Sequence, residues 1–278
     1  MTRRALGLTV CLLLCCRLTT AAEEPVTGIL GAMGSEIQIL VEQLDEAKDR
    51  QIEGLTFWTG RLKGRKVVIA RSGIGKVNAA IATTLLYEHF RPAEVFFSGI
   101  AGGLNPKLLP GDIVIAAKTV QHDAGTLTPK GIHRRGFRNP VAPERNPTFI
   151  PGDPRLLKLA LDCAKRVRFE RIRLKEGTRE PHVIEGTVAT GDVFVASEAK
   201  SQELHKDLGA DAVEMEGAAV AQVCWQWEVP CLIIRCVSDR ADEKALTDVD
   251  TFLRIAVMNS AALTTEIAAT LARQQAAK

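Results

Sequence analysis

The run VPCLIIRCVSD (229–239) is apolar at nearly every position until its polar end. A strand with one wet face alternates polar and apolar side chains, whereas a continuous apolar run must be covered on both faces. A chain carrying such a strand has to place a sheet between helices. VTGILGA (26–32), AEVFFSG (93–99), GDIVIAA (111–117) and a stretch around 183–190 read as further strands. LTFWTGRL (55–62) and RKVVIARS (65–72) read as a hairpin turning at Lys63 and Gly64. Helical patterns occupy 33–48, 75–90, 154–167, 217–227 and 250–276. Strands alternating with helices predict an α/β fold in three layers, α/β/α.

The N-terminus follows a different rule. Arg3 and Arg4 precede a short apolar run, Leu6 to Cys16, and small residues follow at Thr19 to Ala22. This is the pattern of a secretory signal peptide, residues 1–22, cleaved near Ala21 or Ala22. The apolar run is too short to span a bilayer, so no membrane attachment is expected after cleavage. The expected location is periplasmic or secreted. Cleavage removes three arginines and no acid, so the 36 Lys and Arg fall to 33, equal to the 33 Asp and Glu. That balance offers nothing to nucleic acid. Three of the seven cysteines leave with the signal. Cys163, Cys224, Cys231 and Cys236 remain without metal-ligand spacing, and neither a metal nor a cofactor is implied. An oxidising compartment permits a disulfide, but the sequence does not choose the pair.

With 46% hydrophobic residues, 23–278 reads as one domain with an ordinary core. Ten glycines and prolines break all periodicity at 125–155, which reads as a long loop insertion, either a lid or a solvated excursion.

Glu36, Glu216 and Asp239 sit at strand ends or helix starts, where ligands collect in α/β folds. Each alone also fits a cap or a first-turn acid. Arg71 reads as a surface strand-end residue. His122 and Asp123 read as structural.

The segments GILGAMGSE, SGIGKVNAA, SGIAGGL, GDIV, HDA, TGDVF, VEMEGAA and RCVSD occur in this order from Gly28 onward. Together they resemble the 5′-methylthioadenosine/S-adenosylhomocysteine nucleosidases of the purine nucleoside phosphorylase superfamily. The resemblance implies a central mixed, partly barrel-like sheet and a homodimer. It implies a small-molecule nucleoside as substrate and water as nucleophile. It assigns water activation to Glu36 and purine protonation to Asp239. Glu216 and Met215 would hold the ribose, Phe194 would stack on the base, and Val195 would meet the adenine edge. Ile74, Ala101, Gly102, Ser238 and Arg235 complete the implied substrate site. Ile100 replaces the family's small polar residue in SGIAGG, and GAMGSE lacks two of the usual acids.

These residue types suit the chemistry. Breaking an N-glycosidic bond builds positive charge on the ribose and negative charge on the purine, which carboxylates and a carboxylic acid respectively relieve. A phosphorylase would need cations for phosphate, and GAMGSE supplies an acid. Two alternatives stay open on the sequence: a phosphate-dependent purine nucleoside phosphorylase, and a non-catalytic nucleoside-binding protein of the envelope.

Overall fold

The computed structural model describes residues 24–173 and 177–277. The leader assigned to 1–22 lies outside them. The elements run β1 (Thr27–Gly31), α1 (Gly34–Val41), β2 (Asp45–Ile52), β3 (Leu55–Leu62), β4 (Arg65–Arg71), α2 (Lys76–Phe90) and β5 (Glu94–Gly103). Then come β6 (Ile113–Gln121), β7 (Thr126–Thr128), β8 (Gly131–His133), β9 (Phe149–Pro151), α3 (Pro154–Ala164), β10 (Ile172–Arg173) and β11 (Thr178–Arg179). The chain finishes with β12 (Val183–Thr190), α4 (Glu198–Leu208), β13 (Ala212–Glu214), α5 (Gly217–Gln226), β14 (Cys231–Asp239) and α6 (Ala245–Ala276).

The main sheet has the order β13-β12-β6-β14-β5-β1-β4-β3-β2, with β9 added against β6. β13 also pairs antiparallel with the end of β5, Ala212 opposite Gly103 and Val213 opposite Gly102. Five strands, β13, β12, β6, β14 and β5, therefore close into a small barrel, and β1 to β4 extend it as an open sheet. β4, β1, β5 and β14 are mutually parallel, while β6 runs antiparallel to β14.

Adjacent residues of the parallel strands serve opposite faces, as the pleat requires. Leu30, Val68, Phe97 and Ile233 pack in one core with Ala79, Leu86, Val220 and Cys224 of α2 and α5. Ile29, Ile69, Phe96, Leu232 and Ile234 pack in the other, with Ile37 and Leu40 of α1, Leu156 of α3 and Ile267 of α6. This is why the 229–239 run is apolar without alternation. α6 is long and apolar enough to cross a membrane, but its most apolar part is 61% buried within the protein.

At the amino ends of these strands lies a balanced polar cluster. Arg65 donates through Nε to Thr27 Oγ1 (2.8 Å), through Nη2 to Glu94 Oε1 (2.7 Å) and through Nη1 to Gln275 Oε1 (2.6 Å). Thr27 donates to Glu94 at 2.6 Å.

Four expectations change. The helix expected over 33–48 stops at Val41, and the chain returns as β2, whose residues are exposed up to Ile52. α6 begins at Ala245, five residues before its expected start at Asp250. Polar residues 198–208, given no element from the sequence, form α4, capped by Ser197 accepting from Lys200 N at 3.4 Å. The 125–155 stretch is partly ordered into the fold: β7 and β8 form a hairpin, and β9 joins the main sheet.

Candidate active site

The site forms where the carboxyl ends of β1, β5 and β14 meet the exits of β12 and β13. Glu36 lies in the first turn of α1, where the helix dipole favours a carboxylate. Its Oε2 accepts from Met33 N at 2.8 Å and its Oε1 from Ile100 N at 2.9 Å, so the helix start is tied to β5. Gly99 makes this approach possible: a Cβ there would collide with Glu36 Oε1 and lie 2.5 Å from Arg235 Nη1.

Glu216 follows β13 and stands at the N-terminus of α5. Its Oε1 accepts from Gly75 N at 2.8 Å. Gly75 has φ 96°, a left-handed conformation that favours glycine, and turns the SGIGK segment toward the carboxylate.

Asp239 ends β14 just past a register shift against β5, where Val237 faces Ala101 and Asp239 faces Gly102. A bulge of this kind re-aims the side chain that follows it. Asp239 Oδ2 accepts from Ser238 Oγ and Oδ1 from Ala241 N, both at 2.8 Å. The N-cap alternative is therefore wrong for Asp239, which closes a local turn. Gly102 cannot carry a side chain either, since a Cβ would lie 2.9 Å from Asp239 Oδ1.

These three acids line one cavity of about 170 Å³. Ile74, Ala101, Gly102, Phe194, Val195 and Met215 line it too, so nine of the eleven residues singled out from the sequence meet there. Ile100 and Val213 add apolar wall, and Val193 and Phe194, 59% and 45% exposed, stand at the rim. None of the lining residues is Lys or Arg.

Arg235 and Ser238 do not line the cavity. Ser238 acts on Asp239, as above. Arg235 is completely buried beneath the acids. Its guanidinium lies 4.2 Å from the centre of the Phe97 ring, bonds Glu214 through Nη2, and comes within 3.7 Å of Glu216 Oε2. Its Nε and Nη1 have no partner among the described residues. An arginine expected against substrate instead balances carboxylates from below.

Glu214 is what the sequence reading missed. It accepts from Arg235, from the Thr190 hydroxyl, from Glu216 N (3.0 Å) and from Gly217 N (2.7 Å). Thr190 in turn accepts from Ala218 N at 2.8 Å. The signal was the first acid of VEME, which reads equally as a helix start.

Burial in this apolar surround costs the ionised forms of all three acids. For Glu36, burial pushes the carboxyl pKa up, opposed by Arg235 and the backbone donors. For Glu216, burial and the neighbouring Glu214 charge push it to about 7 against the pull of Arg235. For Asp239, burial raises it against the Ser238 hydrogen bond.

The remaining expectations separate cleanly. Arg71 is exposed and lines another groove, beside Trp58 and Asn78. Asp123 accepts from Lys76 Nζ (2.7 Å) and from Asp192 N (2.9 Å), fixing the loop before Val193. The 125–155 insertion does not border the cavity. Residues 139–145 of it flank a separate groove against α5 and the start of β14, so within one chain it is no lid for the site.

A barrel-ended α/β sheet with acids gathered at its mouth defines the class: the chain belongs to the phosphorylase superfamily, whose family model matches residues 26–269. Within it the chain falls with the 5′-methylthioadenosine/S-adenosylhomocysteine nucleosidases. It is 37% identical over 241 residues to that nucleosidase of Mycobacterium bovis, covering 84% of this chain and 93% of the relative. It is 39% identical over 234 residues to the aminodeoxyfutalosine nucleosidase of Campylobacter jejuni, covering 84% and 92%. The nucleosidase of Neisseria meningitidis, solved with methylthio-immucillin-A, superposes with a TM-score of 0.74 at 36% identity, covering 88% of this chain and 99% of that one.

Proposed function

We propose that the protein hydrolyses the N-ribosyl bond of adenine nucleosides such as 5′-methylthioadenosine or S-adenosylhomocysteine, releasing adenine and the 5-substituted ribose. One observation carries the reading: three buried acids from distant segments face a single small cavity with no cation in its wall.

Each acid has a distinct task. Glu36, oriented by two backbone donors and made a stronger base by burial, takes a proton from water as its oxygen attacks C1′. Glu216 accepts from the ribose hydroxyls and offsets the positive charge that builds on the sugar. Asp239, its pKa raised by burial, gives a proton to the purine N7 so that adenine leaves neutral. Phe194 supplies a ring face for the base. The Ile100 side chain offers the cavity no hydrogen bond, and its amide is already bound to Glu36.

The absence of lysine and arginine from the cavity wall argues against phosphate as the nucleophile. Incubation with methylthioadenosine, with and without phosphate, tests this. Equal adenine release in both supports hydrolysis, strict phosphate dependence establishes phosphorolysis, and binding without turnover establishes a binder. A panel of adenosine, inosine, methylthioadenosine, S-adenosylhomocysteine and aminodeoxyfutalosine then ranks the substrates.

Export and dimerisation belong to the same proposal. The leader pattern at 1–22 supports periplasmic or secreted location, checked by fractionation and N-terminal sequencing. A homodimer is supported by exposed apolar side chains at Ile74 on the cavity wall and at Val77 and Ile81 one turn apart on α2, which are 54%, 69% and 48% exposed. Sedimentation checks it.

A further inference from the structure

The four cysteines in the described residues are all buried and all free thiols. Cys163 donates to Thr270 Oγ1 at 3.4 Å, and Cys236 to Gly111 O at 3.3 Å. Cys224 and Cys231 differ, because the two thiols are neighbours. Both belong to the same core cluster.

Their places in the fold bring them together. Cys224 lies in the last turn of α5, and Cys231 is the first residue of β14. The turn between them is tight: Trp227 N and Val229 N both donate to Cys224 O, at 3.2 and 2.9 Å. Glu228 takes φ 55° there, a conformation uncommon for a residue with a side chain.

Of the two residues, Cys231 lies nearer the surface. Both line a groove of about 740 Å³ formed between this turn and residues 139–145 of the insertion. Cys231 is 8% exposed and Cys224 only 1%.

We infer that Cys224 and Cys231 are a dithiol–disulfide pair, oxidised by thiol–disulfide exchange with a small-molecule or protein disulfide that enters this groove. The Cys231 thiolate attacks the external disulfide, forming a mixed disulfide and releasing one external thiolate. Cys224, having lost its proton, displaces the second external thiol. Two S–H bonds and the external S–S bond break. One S–S bond forms within the protein, and the external disulfide is reduced to two thiols. The order follows from access, since exchange needs an open approach to the attacking sulfur. The neighbouring Cys231 thiol and burial raise the Cys224 pKa well above its usual range, which makes Cys224 the poorer first attacker.

The bond would tie α5 to β14 at the ends remote from the site. The near ends of the same two elements carry Glu216 and Asp239. Closing the short loop between them limits how far the two can drift when the chain breathes, and it constrains the unfolded chain. An export compartment supplies such disulfides, but the pairing is a property of the folded chain and is tested without it.

The experiment equilibrates the purified protein with mixed reduced and oxidised glutathione. Samples are alkylated in denaturant and their peptides mapped by mass. The expected result is one cross-link, Cys224 to Cys231, lighter by two hydrogen atoms, with Cys163 and Cys236 alkylated. C224S should retain glutathione on Cys231, and C231S should leave Cys224 alkylated. The oxidised protein should melt at a higher Tm than either variant. Four alkylated thiols after equilibration, or a cross-link through Cys163 or Cys236, overturns the inference. Glutathione trapped on Cys224 in C231S but absent from Cys231 in C224S overturns the order of attack.

Discussion

The same parallel strands carry a buried ionic cluster at each end, and the two are built on opposite principles. At the amino ends, Arg65 meets Glu94, Thr27 and Gln275, and each nitrogen of the guanidinium has a partner. At the carboxyl ends, Arg235 faces Glu214 and Glu216, lies near the oxygens of Glu36, and leaves Nε and Nη1 without partners. One cluster is closed. The other holds an excess of acid that burial makes costly and that a bound, charge-developing substrate would relieve. Buried polar groups are ordinarily satisfied, so an imbalance retained at a cavity marks where chemistry is done.

Substitutions can break or sharpen this contrast. The largest effect should come from Glu36→Gln, which removes the base and lowers kcat by about 10²–10⁴-fold. The Gln oxygen can accept from only one of Met33 N and Ile100 N, so a stability loss of about 1–3 kcal/mol is expected beside the loss of turnover. Unchanged turnover would remove Glu36 from the mechanism. At the opposite end, Glu94→Ala strands a buried arginine and should cost about 3–5 kcal/mol in denaturant unfolding. The kcat of its folded fraction should be unaltered, and a loss of kcat there would erase the distinction between the ends.

Gly99→Ala forces a Cβ between Glu36 and Arg235, and overpacking of this kind costs roughly 1–3 kcal/mol. It should also lower kcat, since the base is displaced.

The pH response is a further test. Glu216 titrates at about 7 when folded, above the usual 4.5. Between those values the folded chain holds more protons than the unfolded one. Stability therefore falls as pH rises across that window. Glu36 and Asp239, also raised by burial, act in the same sense. Glu216→Gln should flatten the slope in pH-dependent denaturation, and an unaltered slope would show that Glu216 is not its source. Arg71→Ala should be the mildest, within about 0.5 kcal/mol in stability and with kcat/KM retained, since surface positions tolerate change.

Much of this was legible in the chain. The acids at 36, 216 and 239 close strand or helix-start motifs whose apolar parts fix their depth. Other features depend on partners that sequence does not display. The first half of β2, residues 45–48, falls in the expected helix because Glu46, Ala47 and Lys48 favour helices over strands. Pairing with β3 decides its state, and its charges suit an exposed sheet edge. α4 did carry a signal, a serine cap at Ser197, without the apolar stripe that would have marked it. Arg235 entered the substrate site on the family resemblance alone, and it lies beneath the acids, off the cavity wall. Glu214 went unread because its role exists only once Thr190 lies beside it in register.

The meeting of β13 with the end of β5 has a kinetic corollary. The ring closes only when a late segment of the chain reaches an early one, and such distant contacts form slowly and last. A partly folded or still-emerging chain has no cavity for a nucleoside to enter. A tight-binding analogue will therefore engage finished molecules alone, drawing stragglers toward the native state by mass action and acting as a pharmacological chaperone for weakened variants.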